Sequence, residues 1–282
     1  SWNNLMAIAV TPSGASCGAT VRGLDLSKSL AADEIDQVRK AWLTHHVLAF
    51  PDQKLDIDQL EAFCRQFGEL SEDPFFNPLP ARKYTAAVKR EATDTIRIFA
   101  EGSHSDWSFL ESPPIGTFLY GVDIPPVGGD THFSNQQISF ESLPDEAKIR
   151  LQGMKSIHSS AATYSAQGIY GDTSSHGAMD IRSPNEGGVL QHTHPLILEH
   201  PETGRLGIFG GGAYIIGLEG VAKSEALRTL AELNAWQSTE VFVHKQKWEK
   251  NMLVMWDNRS VVHKATGGYE GYRRELHRVT VY

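Results

Sequence analysis

The chain has 282 residues, 34 acidic against 26 basic side chains, a net charge of −8 with histidine neutral, and 40% hydrophobic residues. That is enough apolar material for a large core and excludes wholesale disorder. The acidic balance leaves no surplus of lysine and arginine to neutralise phosphates, so nucleic acid is not an expected partner. No apolar run approaches the roughly 18 residues that a bilayer span needs, so no membrane partner is expected either. The first ten residues carry no basic segment ahead of an apolar stretch, which argues against a secretory leader. Cys17 and Cys64 make no disulfide framework. A cytoplasmic soluble chain is the resulting expectation; whether copies associate into a homo-oligomer stays open.

In chain order, Ile35, Val38 and Trp42 share one face of an amphipathic stretch that precedes a short buried strand, Val47–Phe50. A second helix begins after Asp56 as N-cap, with Gln59 three residues on. Leu60, Phe63, Cys64 and Phe67 form its apolar stripe and Gly68 closes it. Residues 71–100 are punctuated by proline at first and show no period, so they read as a long connection over the surface. From about residue 103 short strands separated by Gly and Pro turns are predicted at 117–122, 131–133, 189–194, 206–209, 239–244, 252–256 and 275–282. Helical stretches at 144–152 and 224–237 interrupt them. Strands without regular βαβ alternation favour an antiparallel sandwich or barrel. Residues 164–188 are rich in Gly and Ser and lack either period; an active-site lid and a plain insertion are the alternatives.

The chemistry-bearing residues are histidines and carboxylates. His104 and Asp106 are two apart, so on an extended segment they project to one face and can converge on one cation; a solvated turn before Trp107 is the plain alternative. His192 and His194 meet the same geometric test but also fit an ordinary strand edge before Pro195. Surface placement accounts for His158, His176 and His200. The buried-strand run 252–256 leads into the turn Asp257-Asn-Arg259 and then to His263 on a returning strand. Two imidazoles and one carboxylate make the facial set used by non-haem Fe(II), with three positions left open, although zinc accepts the same ligands. On the terminal strand the period of two puts Arg274, Leu276, Arg278 and Thr280 on one face. Two half-buried guanidiniums there call for anions; the alternative is that this face is exposed, with Arg273, Glu275 and His277 turned inward.

Several spaced segments together resemble the taurine dioxygenase / 2,4-dichlorophenoxyacetate dioxygenase (TauD/TfdA) family. They are residues 17–26, Phe67-Gly-Glu-Leu70, His104-Ser-Asp-Trp-Ser-Phe109, Val127-Gly-Gly-Asp-Thr131, His194-Pro195, His200-Pro-Glu-Thr-Gly204, Trp256-Asp-Asn-Arg259, His263 and Arg273-Arg-x-x-x-Arg278. The resemblance implies a mainly β, α+β fold: one domain over 1–282 with a double-stranded β-helix (jelly-roll) core, flanking helices and a long active-site loop. It implies Fe(II) on His104, Asp106 and His263, with 2-oxoglutarate and O2 as cosubstrates. The distal carboxylate of 2-oxoglutarate would lie on Arg274 and Thr131, and Arg278 would face an anion on a small-molecule substrate. The implied reaction hydroxylates a C–H and releases succinate and CO2, and the product fragments where the carbon bears oxygen or sulfur. Halogenating relatives have a small residue where Asp106 stands, so oxygenation is implied.

Against the family's taurine enzyme, Asp73 stands in place of a sulfonate-binding histidine, Trp107 replaces a smaller residue, and Ala100 replaces a polar one. Asp73 would repel a sulfonate or attract an amine. An aryloxyalkanoate, a sulfate ester and an amino-acid-like metabolite are all compatible substrates. Phe76, Phe109 and Tyr214 would complete an aromatic pocket, with a plain core role as the alternative. Two other readings of the triad are a zinc hydrolase, for which no general-base glutamate is evident, and a non-catalytic jelly roll with a structural metal.

Overall fold

The computed structural model describes residues 8–182 and 188–282 and is a sheet-rich α+β structure. Strands β1 (Ala9–Pro12) and β2 (Ala19–Arg22) pair as an antiparallel hairpin. Helix α1 (Ala32–His45) leads into β3 (Val47–Phe50). Helix α2 (Ile57–Arg65) is closed at its start as expected: Gln59 N–H donates to Asp56 Oδ1 at 2.8 Å, and Asp56 N–H donates to Gln59 Oε1 at 3.0 Å. The chain continues through β4 (Leu70–Ser71), β5 (Ala86–Arg90), β6 (Gly116–Asp123), β7 (Thr131–Asn135), α3 (Gln136–Glu141), α4 (Asp145–Gln152), β8 (Lys155–Ser159) and α5 (Ala161–Tyr164). Then come β9 (Gln191–Pro195), β10 (Ile197–Glu199), β11 (Leu206–Ile208), β12 (Ile215–Leu218) and α6 (Lys223–Gln237). The last strands are β13 (Val243–Gln246), β14 (Leu253–Asp257), β15 (Val261–Ala265) and β16 (Arg274–Val281).

The major sheet runs β1-β2-β3-β14-β6-β16-β4, with β5 also on β16; smaller sheets are β13-β7-β15, β12-β8-β9 and β10-β11. Alternation along its central strands decides what each face buries. Leu48, Phe50, Phe118, Tyr120, Leu253, Met255, Val279 and Val281 meet Trp42 of α1 and Leu60 and Phe63 of α2. Each such large side chain contributes roughly 1.5–3 kcal/mol by leaving water. On the opposite face Val47, Ala49, Leu119, Val254, Trp256 and Leu276 pack against Phe133 and Val261 of the β13-β7-β15 sheet. These facing sheets form the jelly-roll core. The face of β16 that carries Leu276 also carries Arg274, Arg278 and Thr280, all buried, so the strand directs two guanidiniums into the interior.

Three expectations change. Residues 71–100 are more than a surface connection: β5 pairs with β16, and Phe75 and Phe76 are buried with Trp107, Phe109 and Tyr164. Two adjacent aromatics show no period, and a local device turns both inward, since Asp73 Oδ1 accepts from the Phe75 and Phe76 N–H groups, each at 2.9 Å. The predicted 239–244 strand is split into a 3-10 turn, Glu240–Phe242, and β13. Finally, His158, His176 and His200 are buried. His158 lies between the Ser108 and Ser156 hydroxyls at 2.7 and 2.9 Å, and burial beside His194 pushes its pKa down to about 3. His176 pairs with the Tyr170 carbonyl and His200 with Asp257, both at 2.8 Å.

Candidate metal and cosubstrate site

Asp257 opens the turn that delivers His263. Its carboxylate accepts from His200 Nε2 at 2.8 Å and from the Arg259 amide and Nε at 2.9 and 2.8 Å. Burial opposes its ionisation, but the His200 hydrogen bond and Arg259 outweigh it and hold the pKa at about 2. From this turn β15 runs to His263, which meets His104 in an antiparallel bridge: His104 N–H donates to the His263 carbonyl at 3.0 Å, and His263 N–H to the His104 carbonyl at 2.9 Å. Paired residues of a bridge project to the same side, so the rings lie 4.3 Å apart. Asp106 Oδ1 reaches both, 3.2 Å from His104 Nε2 and 3.5 Å from His263 Nε2. All three residues are buried, with one ligand atom of each within 4.8 Å of the others.

The donor set fits a metal ion. His104 Nδ1 lies 2.8 Å from the Gly102 carbonyl, which fixes the proton on Nδ1 and leaves the Nε2 lone pair on the cavity side. Burial pushes the His263 pKa down to about 3, so its imidazole is neutral. Burial opposes the Asp106 charge, but His263, His104 and Arg278 outweigh it and hold the carboxyl well below the usual range. Asp106 Oδ2 accepts from the Thr117 hydroxyl at 2.6 Å; Thr117 accepts from Asn258 Nδ2 at 2.8 Å, and Asn258 Oδ1 from Trp256 Nε1 at 3.1 Å. This chain orients the carboxylate. Nothing in the sequence reading assigned Thr117 that role; its inward position on β6, next to apolar Phe118, was the available signal. Replacing Thr117 by valine keeps the shape and removes the bond, and should weaken Fe(II) binding about 10- to 100-fold in an anaerobic equilibrium titration. An unchanged affinity would show that the carboxylate is held by other means.

The cavity holding the triad is also lined by Thr131, Tyr269, Arg274 and Arg278. Arg274 donates from Nη2 to the Gly129 carbonyl at 3.0 Å, and its guanidinium lies 5.5 Å from the Tyr269 ring centroid. Its Nε has no partner, and among the described residues no carboxylate lies within ion-pair reach of it. Gly128 and Gly129 make this approach, both with positive φ (67° and 75°). A Cβ at Gly128 would lie 2.5 Å from the Gly268 backbone, and one at Gly129 3.1 Å from Arg274 Nε. Trp248 Nε1 donates to the Thr131 hydroxyl oxygen at 3.0 Å, so the hydroxyl proton remains for another acceptor. An unpaired buried cation beside a free hydroxyl donor fits a carboxylate.

Among the expected substrate residues, the structure separates cavity wall from support. Arg278 lines the first cavity, and Tyr214 lines an adjoining one with Phe99, Tyr164, Tyr170 and His104. Asp73, Phe76, Trp107 and Phe109 line neither. Phe109 packs edge-on against Phe75 and Tyr214. The Arg278 guanidinium lies over the Phe76 and Trp107 rings, 4.9 and 5.8 Å from their centroids, and is ion-paired with Asp73. Arg278 and Asp73 thus meet each other, where the sequence reading had each facing a ligand. Trp107 adopts a positive φ of 49°, a strained conformation for a bulky residue that costs on the order of 1–3 kcal/mol and brings its indole against Arg278. Phe99, Tyr164, Tyr170 and Met179 were not foreseen as wall residues; for the two tyrosines, aromatics within the Gly/Ser-rich segment were the signal. That segment is packed: Tyr164, Tyr170, Met179 and Ile181 are buried, and Ile181 bridges Phe76. Residues 183–187 of the expected lid lie outside the described residues. His192 is exposed and His194 pairs with the Leu110 carbonyl at 2.9 Å, so neither joins the triad.

A jelly roll with two imidazoles and one carboxylate in one cavity, beside an unpaired arginine, defines a mononuclear metal-dependent oxygenase site. Residues 9–280 match the family model "Taurine catabolism dioxygenase TauD, TfdA family". The chain is 30% identical to an alpha-ketoglutarate-dependent 2,4-dichlorophenoxyacetate dioxygenase of Cupriavidus pinatubonensis, over 98% of each chain. It is 25% identical to an alpha-ketoglutarate-dependent sulfate ester dioxygenase of Pseudomonas putida, over 96% of this chain and 88% of that one. A taurine dioxygenase structure from Burkholderia xenovorans superposes with a TM-score of 0.81 at 28% identity, covering 97% of this chain and 89% of that one. The chain therefore belongs to the TauD/TfdA family. It is an alpha-ketoglutarate-dependent dioxygenase, of the class that uses non-haem Fe(II), 2-oxoglutarate and O2.

Proposed function

We propose that this dioxygenase hydroxylates a C–H of a small organic substrate, holding Fe(II) on His104, Asp106 and His263 and 2-oxoglutarate on Arg274 and Thr131. The observation that carries the assignment is Arg274: a buried guanidinium without a carboxylate partner, on the cavity that the triad lines. Bound there, the Fe(II) and 2-oxoglutarate supply the O2-dependent oxidation, with succinate and CO2 released. The chain's own residues position and shield. Arg274 and Thr131 hold a carboxylate in a fixed orientation, the Asn258–Thr117 pair keeps Asp106 from rotating, and Phe99, Tyr170 and Tyr214 exclude water from the substrate side. A product hydroxylated next to oxygen or sulfur fragments. The described part of the expected 164–188 lid, residues 164–182, supplies wall to this site through Tyr164, Tyr170 and Met179, and residues 1–282 act as one catalytic domain. No helix among the described residues is long and apolar enough to cross a membrane, in keeping with a cytoplasmic enzyme.

A zinc hydrolase on the same triad needs a general base at the metal; among the described residues no glutamate lines the cavity that holds all three ligands, Asp94 there is held by the Glu91 and Ala178 amides, and Glu101 of the adjoining cavity is paired with Arg97. Anaerobic addition of Fe(II) and then 2-oxoglutarate should produce a weak visible charge-transfer band that zinc in place of iron does not give. Absence of the band at saturating 2-oxoglutarate would remove the proposal.

A further inference from the structure

Resting on the reading of the site just given, we infer that the prime substrate is an uncharged, largely apolar molecule that offers an ether, ester or carbonyl oxygen to Arg278. The charge of Arg278 is already matched. Asp73 faces it with Oδ2, while Asp73 Oδ1 is fixed by the Phe75 and Phe76 amides at 2.9 Å, so the carboxylate cannot turn away without stranding two buried N–H groups. The guanidinium is itself held over the Phe76 and Trp107 rings. Both members are buried, Arg278 at 8% and Asp73 at 6% exposure.

Among the buried groups of the loaded site charge then balances: Asp106 and Asp73 offset Arg274 and Arg278, and a dianionic cosubstrate would offset the divalent metal. Toward the more exposed end of the same cavity Lys89 and Arg97 are paired with Glu91 and Glu101 at 3.2 and 2.8 Å, and Arg90 lies beside Asp94, so that end leaves no net charge for the substrate either. A carboxylate or sulfate on the substrate would be one unmatched negative charge at the buried end of the cavity, and an ammonium would find Asp73 fully engaged. A neutral oxygen meets no such penalty. Arg278 carries five N–H donors, spends one on Asp73, and lines the cavity. The adjoining cavity of about 250 Å³, which shares Phe99 and His104 with the first, is walled by Tyr164, Tyr170 and Tyr214, surfaces suited to an apolar body.

The test uses two probes of nearly equal shape, phenoxyacetamide and phenoxyacetate, titrated calorimetrically into the intact protein loaded anaerobically with Fe(II) and 2-oxoglutarate. The wild type should bind the amide at least about tenfold more tightly than the carboxylate. Asp73→Asn keeps an oxygen for the two backbone amides and frees the Arg278 charge, so the carboxylate should gain at least about tenfold. If that variant does not fold, Asp73→Asn/Arg278→Met, which removes both charges, should keep the preference for the amide. Equal or tighter carboxylate binding by the wild type overturns the inference, as does failure of both probes to bind it, or a ratio unmoved by Asp73→Asn. The charge-transfer band is recorded on the same samples. Its presence with a carboxylate preference sinks this inference alone, whereas its absence sinks the dioxygenase site.

Discussion

Alanine at His104, Asp106 or His263 is expected to abolish 2-oxoglutarate turnover, both coupled to substrate and uncoupled, with the fold retained. Outer partners of metal ligands are commonly worth about 10- to 100-fold. Loss of a ligand from a three-residue set has no replacement and should exceed that. The cavity offers none: its other carboxylate, Asp94, is tied to the Glu91 and Ala178 amides at 2.8 and 3.2 Å. Retention of the fold follows from where the stability lies. The bridge between His104 and His263 is made by backbone groups that alanine keeps, and the two apolar clusters flanking the major sheet do not include the triad. Asp106→Ala also relieves the burial of a charge. Succinate release, Fe(II) titration and thermal unfolding on each variant give the check. His192→Ala and His194→Ala should bind iron near normally. Iron retained after loss of His263 but lost after loss of His192 would overturn the assignment.

What could be read from the residues, and what could not, follows from how local the determining interactions are. The N-terminus of α2 was legible because its capping box lies within four residues, Asp56 to Gln59. That Arg274, Leu276, Arg278 and Thr280 share one face was legible because strand alternation alone decides it. The triad itself was a pair of spacing hints until His263 joined them, and the bridge that brings His263 to His104 spans more than 150 residues of chain. Long-range pairing also hid the β1–β2 hairpin's parallel attachment to β3 and the place of β5 beside β16. Two of the three buried histidines were misread for the same reason. His158 and His200 find their partners at Ser108 and Asp257, each about 50 residues or more away, so a polar residue that looks like surface is satisfied in the core. The Asp73–Arg278 pair, 205 residues apart, was invisible for the same cause, and it is the feature that bears most on the substrate.

Substitution of Arg274 should raise the Michaelis constant for 2-oxoglutarate far more than it changes affinity for the metal. The guanidinium has its Nη2 on the Gly129 carbonyl, lines the cavity and has no carboxylate partner among the described residues, and its planar group can give two parallel bonds to one carboxylate. Lysine keeps the charge but replaces the planar fork with a single ammonium on a flexible stem, and glutamine removes the charge altogether. Loss of a charge-assisted pair from a dry pocket costs on the order of 2–4 kcal/mol, or roughly 30- to 1,000-fold in affinity, so Arg274→Gln should lie toward the upper end and Arg274→Lys toward the lower. Thr131→Val deletes one neutral hydrogen bond and should cost only about 1 kcal/mol, or roughly fivefold. The order matters more than any one value, because a general disturbance of the cavity would move all three variants together. Titration of 2-oxoglutarate into the anaerobic Fe(II) protein reads it directly. Iron affinity should stay unchanged throughout, since neither residue reaches the ligand atoms of His104, Asp106 or His263. If Arg274→Gln bound 2-oxoglutarate as tightly as the wild type, the buried cation would serve some other anion, and Arg278 would have to leave Asp73 to take its place.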